Sequence, residues 1–74
     1  MSKVVITKQW RDDDGVVGYA EGKLDGREFT ASWGAGRPLG ALFYDTWLDV
    51  SAAQARLIAR VLTKAGTAPA PQNR

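Results

Sequence analysis

Apolar and polar residues alternate along Val16 to Trp33 with a period of two, interrupted by Leu24-Asp25-Gly26-Arg27. Such alternation is the mark of half-buried strands. Asp-Gly is a strong signal for a type I′ turn, because both central residues need positive φ. A two-residue loop sets the register: Leu24 faces Arg27, Gly22 faces Phe29, Ala20 faces Ala31 and Gly18 faces Trp33. These pairs share one side of the sheet, because side chains alternate along a strand. Lys23 with Glu28, Glu21 with Thr30 and Tyr19 with Ser32 share the other. One side is apolar and one polar, which predicts a sheet covered on a single face. Each glycine on the apolar side then opposes a ring.

Upstream, Val4, Ile6 and Trp10 alternate with Val5, Thr7 and Gln9, which predicts a strand. Asp12-Asp13-Asp14-Gly15 reads as a turn. A three-residue loop Asp13-Asp14-Gly15 places Trp10 opposite Gly18, Ile6 opposite Gly22 and Val4 opposite Leu24, with Lys8 on the core side beside Ala20. A two-residue loop would send Arg11, Gln9 and Thr7 inward, at a greater desolvation cost, so the longer loop is favoured.

Downstream, Gly34 to Gly40 reads as a loop, since its glycines and Pro38 break a strand. Ala41 to Leu48 reads as a fourth strand with ambiguous alternation: Leu42, Tyr44 and Leu48 lie on one side, Phe43 and Trp47 on the other. Ser51 and Gln54 form a capping box. Leu57, Ile58, Val61, Leu62 and Ala65 make one apolar helical stripe. Gly66 follows as the C′ residue, with Lys64 in the last turn. The predicted fold class is α+β: a four-stranded antiparallel β-meander with one C-terminal α-helix packed on its apolar face. It forms a single domain over residues 1–66. The remainder, 67–74, has two prolines and no large apolar group, and is expected to be a disordered tail.

At 74 residues there is room for one small domain. Cysteine and histidine are both absent, which removes disulfides, thiol chemistry, the usual zinc sites and the usual general base. Small chains lean on disulfides, metals or oligomerisation, so oligomerisation is the support left open. Met1-Ser2-Lys3 precedes an apolar run too short for a signal peptide, and no stretch is long enough to span a bilayer. The chain therefore reads as a cytoplasmic protein without a membrane partner. Net charge is +2, unevenly spread: acids outnumber bases up to Val50, and from Ser51 onward there is no acid but Arg56, Arg60, Lys64 and Arg74.

Few residues carry recognisable chemistry. Asp12-Asp13-Asp14-Gly15 has hard oxygen ligands but lacks the alternating ligands and distant glutamate of a calcium loop, and tight-turn chemistry accounts for it. Gly34 to Gly40, with Arg37, could offer backbone N–H groups to a phosphate. Its spacing is neither a P-loop nor a dinucleotide fingerprint, so no metal and no cofactor are expected. Asp45 and Asp49 suit the cap and dipole of the helix. With no nucleophile–base pair in view, no enzyme is expected and no catalytic residue is assigned. Tyr19, with Gln9 and Ser32, could stack a base on the open face, but Glu21 and Glu28 on that face repel phosphates. An ordinary solvated face is expected there.

Two features remain. Arg56, Arg60 and Lys64 recur every four residues along the helix and form a basic face, either merely solvated or able to meet phosphates or an acidic protein. Trp10, Phe29 and Trp33 fill one core, leaving Phe43, Tyr44 and Trp47 to compete for what space remains. Trp and Tyr dominate binding hot spots, so Phe43, Tyr44 and Trp47, with Leu42 nearby, are the predicted protein-contact surface. That surface could be a homodimer seam made by pairing of the last strand. The alternative is that all three are core.

Four antiparallel strands followed by a helix resembles the topology of the Whirly-type single-stranded DNA-binding coactivators, a resemblance that no motif carries. Small, cysteine-free chains without catalytic groups are also common among phage-encoded inhibitors of host machinery, anti-CRISPR proteins included. The expected function is a non-catalytic protein-interaction module, of that inhibitor type or a modulator. The alternative is nucleic-acid binding through Arg56, Arg60 and Lys64.

Overall fold

Asp25 and Gly26 have φ of 52° and 86°, the left-handed pair a two-residue turn requires. From that turn β2 (Val17–Leu24) and β3 (Arg27–Gly34) run antiparallel. Their register is the predicted one, from Leu24 opposite Arg27 to Gly18 opposite Trp33. The structure is a computed structural model that describes residues 2–34 and 36–66. The expected tail at 67–74 lies outside them. β1 (Val4–Arg11) pairs with β2 and β4 (Arg37–Phe43) with β3, giving one sheet in the order β1-β2-β3-β4. The helix α1 (Ala52–Lys64) packs on one face. The fold is thus α+β, an antiparallel meander with a C-terminal helix.

β1 corrects one expectation. Val4 faces Leu24 and Ile6 faces Gly22 as predicted, but the register then slips, and Lys8 faces Glu21, Gln9 faces Ala20 and Trp10 faces Tyr19. Thr7 is the extra residue. Its hydroxyl donates to the Glu21 carbonyl at 3.2 Å. One inserted residue moves every later side chain to the other face. Trp10 and Lys8 therefore leave the apolar side, and Trp10 does not flank Gly18. Gly22 faces Phe29 as predicted, and a Cβ on it would collide with the backbone of β1 at Val5 and Ile6. The β1–β2 turn is also longer than expected. Asp12 Oδ1 accepts from the amides of Val16 at 3.0 Å and Val17 at 3.3 Å, so this carboxylate closes the turn.

β4 corrects a second. It spans Arg37–Phe43, not Ala41 to Leu48. Pro38 is tolerated because an outer strand has no partner for the missing N–H. The chain then turns at 44–46 and returns along β4, with the Phe43 amide donating to Leu48 O and the Val50 amide to Ala41 O, each at 3.0 Å. That stretch of edge is occupied by the chain itself, which closes the predicted homodimer seam there.

The apolar face is shallow in the middle, with Ala20, Ala31 and Ala41, and α1 lies across it. Trp33 covers Gly18: a Cβ there would fall 2.6 Å from its Cζ2. The Ser51 hydroxyl accepts from the Gln54 amide and the Gln54 side chain accepts from the Ser51 amide, each at 3.1 Å, so the capping box forms as predicted. Ile58 and Leu62 are fully buried, along with Leu24 and Phe29 of the sheet. Burial of this kind contributes about 1.5–3 kcal/mol per large side chain and holds the helix to the sheet. Gly66, at φ 89°, ends the helix.

Candidate protein-contact surface

The connection from β4 to α1 displays Trp47 and Leu48, the most exposed large apolar groups among the described residues. Phe43, the last residue of β4, points into the core and is 6% exposed. It therefore leaves the predicted contact set. Its neighbours are held the other way by a turn with several fixed points. The Tyr44 amide donates to Glu28 O at 3.0 Å. Arg27 grips Asp45 through two hydrogen bonds, Nη2 to Oδ1 at 2.9 Å and Nε to Oδ2 at 3.1 Å. Its guanidinium also lies 3.7 Å from the centre of the Phe43 ring. The Trp47 amide donates to Phe43 O at 2.7 Å, and the Leu48 amide to Thr46 Oγ1 at 3.3 Å.

These restraints leave Trp47 at φ 59° and 64% exposed, with Leu48 beside it at 65%. A left-handed backbone costs a side-chain-bearing residue roughly 1–2 kcal/mol. Strain of that kind persists where surrounding contacts over-determine it, and it gathers at functional sites. The Tyr44 ring meets Trp47 edge-on, with centroids 5.7 Å apart and planes at 73°. The Tyr44 hydroxyl donates to Glu21 Oε2 at 2.8 Å. That hydrogen bond raises the Tyr44 pKa above its ordinary value, and the nearby charges of Glu21 and Glu28 add to it. The hydrogen bond from Arg27 holds the Asp45 carboxyl below the ordinary carboxylate range, and the same contact raises Arg27.

The open face of the sheet carries a second aromatic pair. Trp10 stacks on Tyr19, centroids 5.4 Å apart and planes 16° from parallel, and Lys8 Nζ sits 4.9 Å from the Trp10 ring centre. Toward β4 the same face sinks into a shallow hollow of about 310 Å³ lined by Tyr19, Thr30, Ser32, Gly40, Leu42 and Asp49. Arg56, Arg60 and Lys64 are exposed on α1, and no ion pair among the described residues engages them.

The structure thus brings Tyr44 and Trp47 together, buries Phe43, and aligns the three helix cations. Leu48 and Trp10 are exposed apolar residues outside the predicted contact set. Asp45-Thr46 was the available signal for Leu48, since both residue types favour turns. Among the described residues no group of acids is placed to hold a metal, and no helix is long and apolar enough to cross a membrane. No family model, curated protein or solved structure matches the chain, and the likeness to Whirly-type proteins rests on strand order alone.

Proposed function

We propose that the chain is a small non-catalytic protein-interaction module that presents Trp47, backed by Tyr44 and flanked by Leu48, to a protein partner. The observation that carries this is the conformation of Trp47. It is a large aromatic held outward on a left-handed backbone that glycine would occupy without strain. A residue kept for folding would be buried; this one is exposed and forms a T-shaped ring pair with Tyr44. Trp in such a position fits the anchor of a binding hot spot. A module of this type acts by occupying a surface of its partner, as phage-type inhibitors do, anti-CRISPR proteins among them.

The second reading, nucleic-acid binding, is favoured by the three cations of α1, which no ion pair among the described residues engages. They recur at about 6 Å intervals along the helix axis at 1.5 Å rise per residue. The two readings differ in salt dependence, because phosphate contacts release counterions and weaken steeply with salt.

Photo-crosslinking from position 47, with position 60 as the comparison, tests the reading in an extract of cells making the protein. The expected result is a discrete protein adduct from position 47, persistent at moderate salt and suppressed by excess unlabelled protein. Adducts only from position 60, with nucleic acid and only at low salt, would replace this reading with the second.

A further inference from the structure

We infer that the open face of the sheet is the contact surface of a homodimer, in which a second copy of this chain packs against it face to face. This goes beyond the proposed module and, apart from Tyr44, whose hydroxyl reaches Glu21 on this face, uses other residues. Trp47 and Leu48 belong to the segment that turns back along the outer edge of β4 and are not needed for it.

The face is self-complementary. The register aligns Trp10, Tyr19, Ser32 and Gly40 in one row across the four strands. The row is high at its β1 end, where two rings stack, and low at its β4 end. A Cβ on Gly40 would meet nothing within 4 Å, and the hollow of about 310 Å³ lies there. A two-fold axis parallel to the strands and midway between β2 and β3 lays β1 of one copy over β4 of the other. That operation drops each Trp10–Tyr19 ridge into the Gly40 hollow opposite. Because the contact is isologous, it forms twice.

The charges obey the same axis. Lys23 and Glu28 share a row on β2 and β3, so Lys23 of one copy comes to lie over Glu28 of the other, and the reverse. Lys8 comes to lie over the Leu42–Asp49 bridge, where Asp49 borders the hollow. Neither Lys23 nor Glu28 has an ion-pair partner in its own chain among the described residues. Two sheets packed with strands nearly aligned are an ordinary sandwich. Four strands about 4.8 Å apart and seven or eight residues long, at about 3.3 Å per residue, present ~500 Å² per copy. The ~1,000 Å² buried by the pair sits at the lower bound for a specific interface. The dimer is therefore one that dissociates on dilution.

Light scattering on the full chain tests this. The wild type is expected at twice its 8.0 kDa mass at high concentration. Lys23→Glu and Glu28→Lys should each fall to 8.0 kDa, since each places like charges across the axis. Mixing the two variants should restore the doubled mass, because both contacts then join opposite charges. Within either variant the 23–28 pair stays like-charged, so an effect on folding cannot produce the rescue. Gly40→Gln has open space and no left-handed backbone to oppose it. It should keep the melting temperature of the wild type and lose the dimer. A wild type that stays at 8.0 kDa up to millimolar concentration overturns the proposal. So does a dimer that survives Gly40→Gln, or a mixture that does not recover. A monomer that still cross-links through position 47 would overturn the dimer and leave the interaction module standing.

Discussion

Trp10 stacks face to face on Tyr19, on the side of the sheet away from the helix, because Thr7 bulges out of β1 between Ile6 and Lys8. Without that one residue the indole would lie in the core against Gly18. Its energetic role follows from where it lies. An aromatic pair contributes about 0.5–1.5 kcal/mol beyond its burial, whereas removing a buried Trp costs roughly 3–5 kcal/mol. Trp10→Ala should therefore lower the unfolding free energy by about 1 kcal/mol in urea titration. A loss above ~3 kcal/mol would place the indole in the core after all.

Gly18 and Gly40 should respond in opposite ways to an added side chain. At Gly18 the space is filled by Trp33, so Gly18→Val forces the indole or the strand to move, at about 1–3 kcal/mol. At Gly40 nothing stands in the way, and Gly40→Ala should be neutral or stabilising by up to ~1 kcal/mol, since glycine weakens a strand interior. Thermal melting of the two variants side by side checks the contrast.

Two ionisable contacts at the β4–α1 turn give opposite pH dependences. The Asp45 pKa is lowered, mainly by the hydrogen bond from Arg27. Its contribution to stability is present above the unfolded pKa and lost as pH falls through the folded one. The Tyr44 pKa is raised, mainly by its hydrogen bond to Glu21. That contribution is present below the unfolded pKa and lost as pH rises through the folded one. NMR titration should place the Asp45 midpoint below 3.8 and the Tyr44 midpoint above 10.0. Arg27→Gln should raise the first and Glu21→Gln lower the second. Unmoved midpoints would mean that these hydrogen bonds do not persist in solution.

What could be read in advance divides along physical lines. The β2–β3 register was legible because Asp25-Gly26 specifies both turn type and loop length. The start of the helix was legible because Ser51 and Gln54 satisfy each other's amides. The bulge at Thr7 was not, since a threonine that bulges looks like one that pairs, and its consequence fell on Trp10, three residues away. The end of β4 was hidden by the apolar run Leu42-Phe43-Tyr44, which masks the turn encoded by Asp45-Thr46. Of the predicted contact set, Tyr44 and Trp47 reach the surface because that turn reverses the chain, and Phe43 is buried because it precedes the turn.

The proposed role of Trp47 is display to a partner, not support of the fold. The most direct test is the melting temperature of Trp47→Gly. Glycine relieves a backbone strain of roughly 1–2 kcal/mol, against the loss of one aromatic edge contact worth about 0.5–1.5 kcal/mol. The variant should melt no lower than the wild type. A clear drop would show that the indole serves the fold, and would overturn that role.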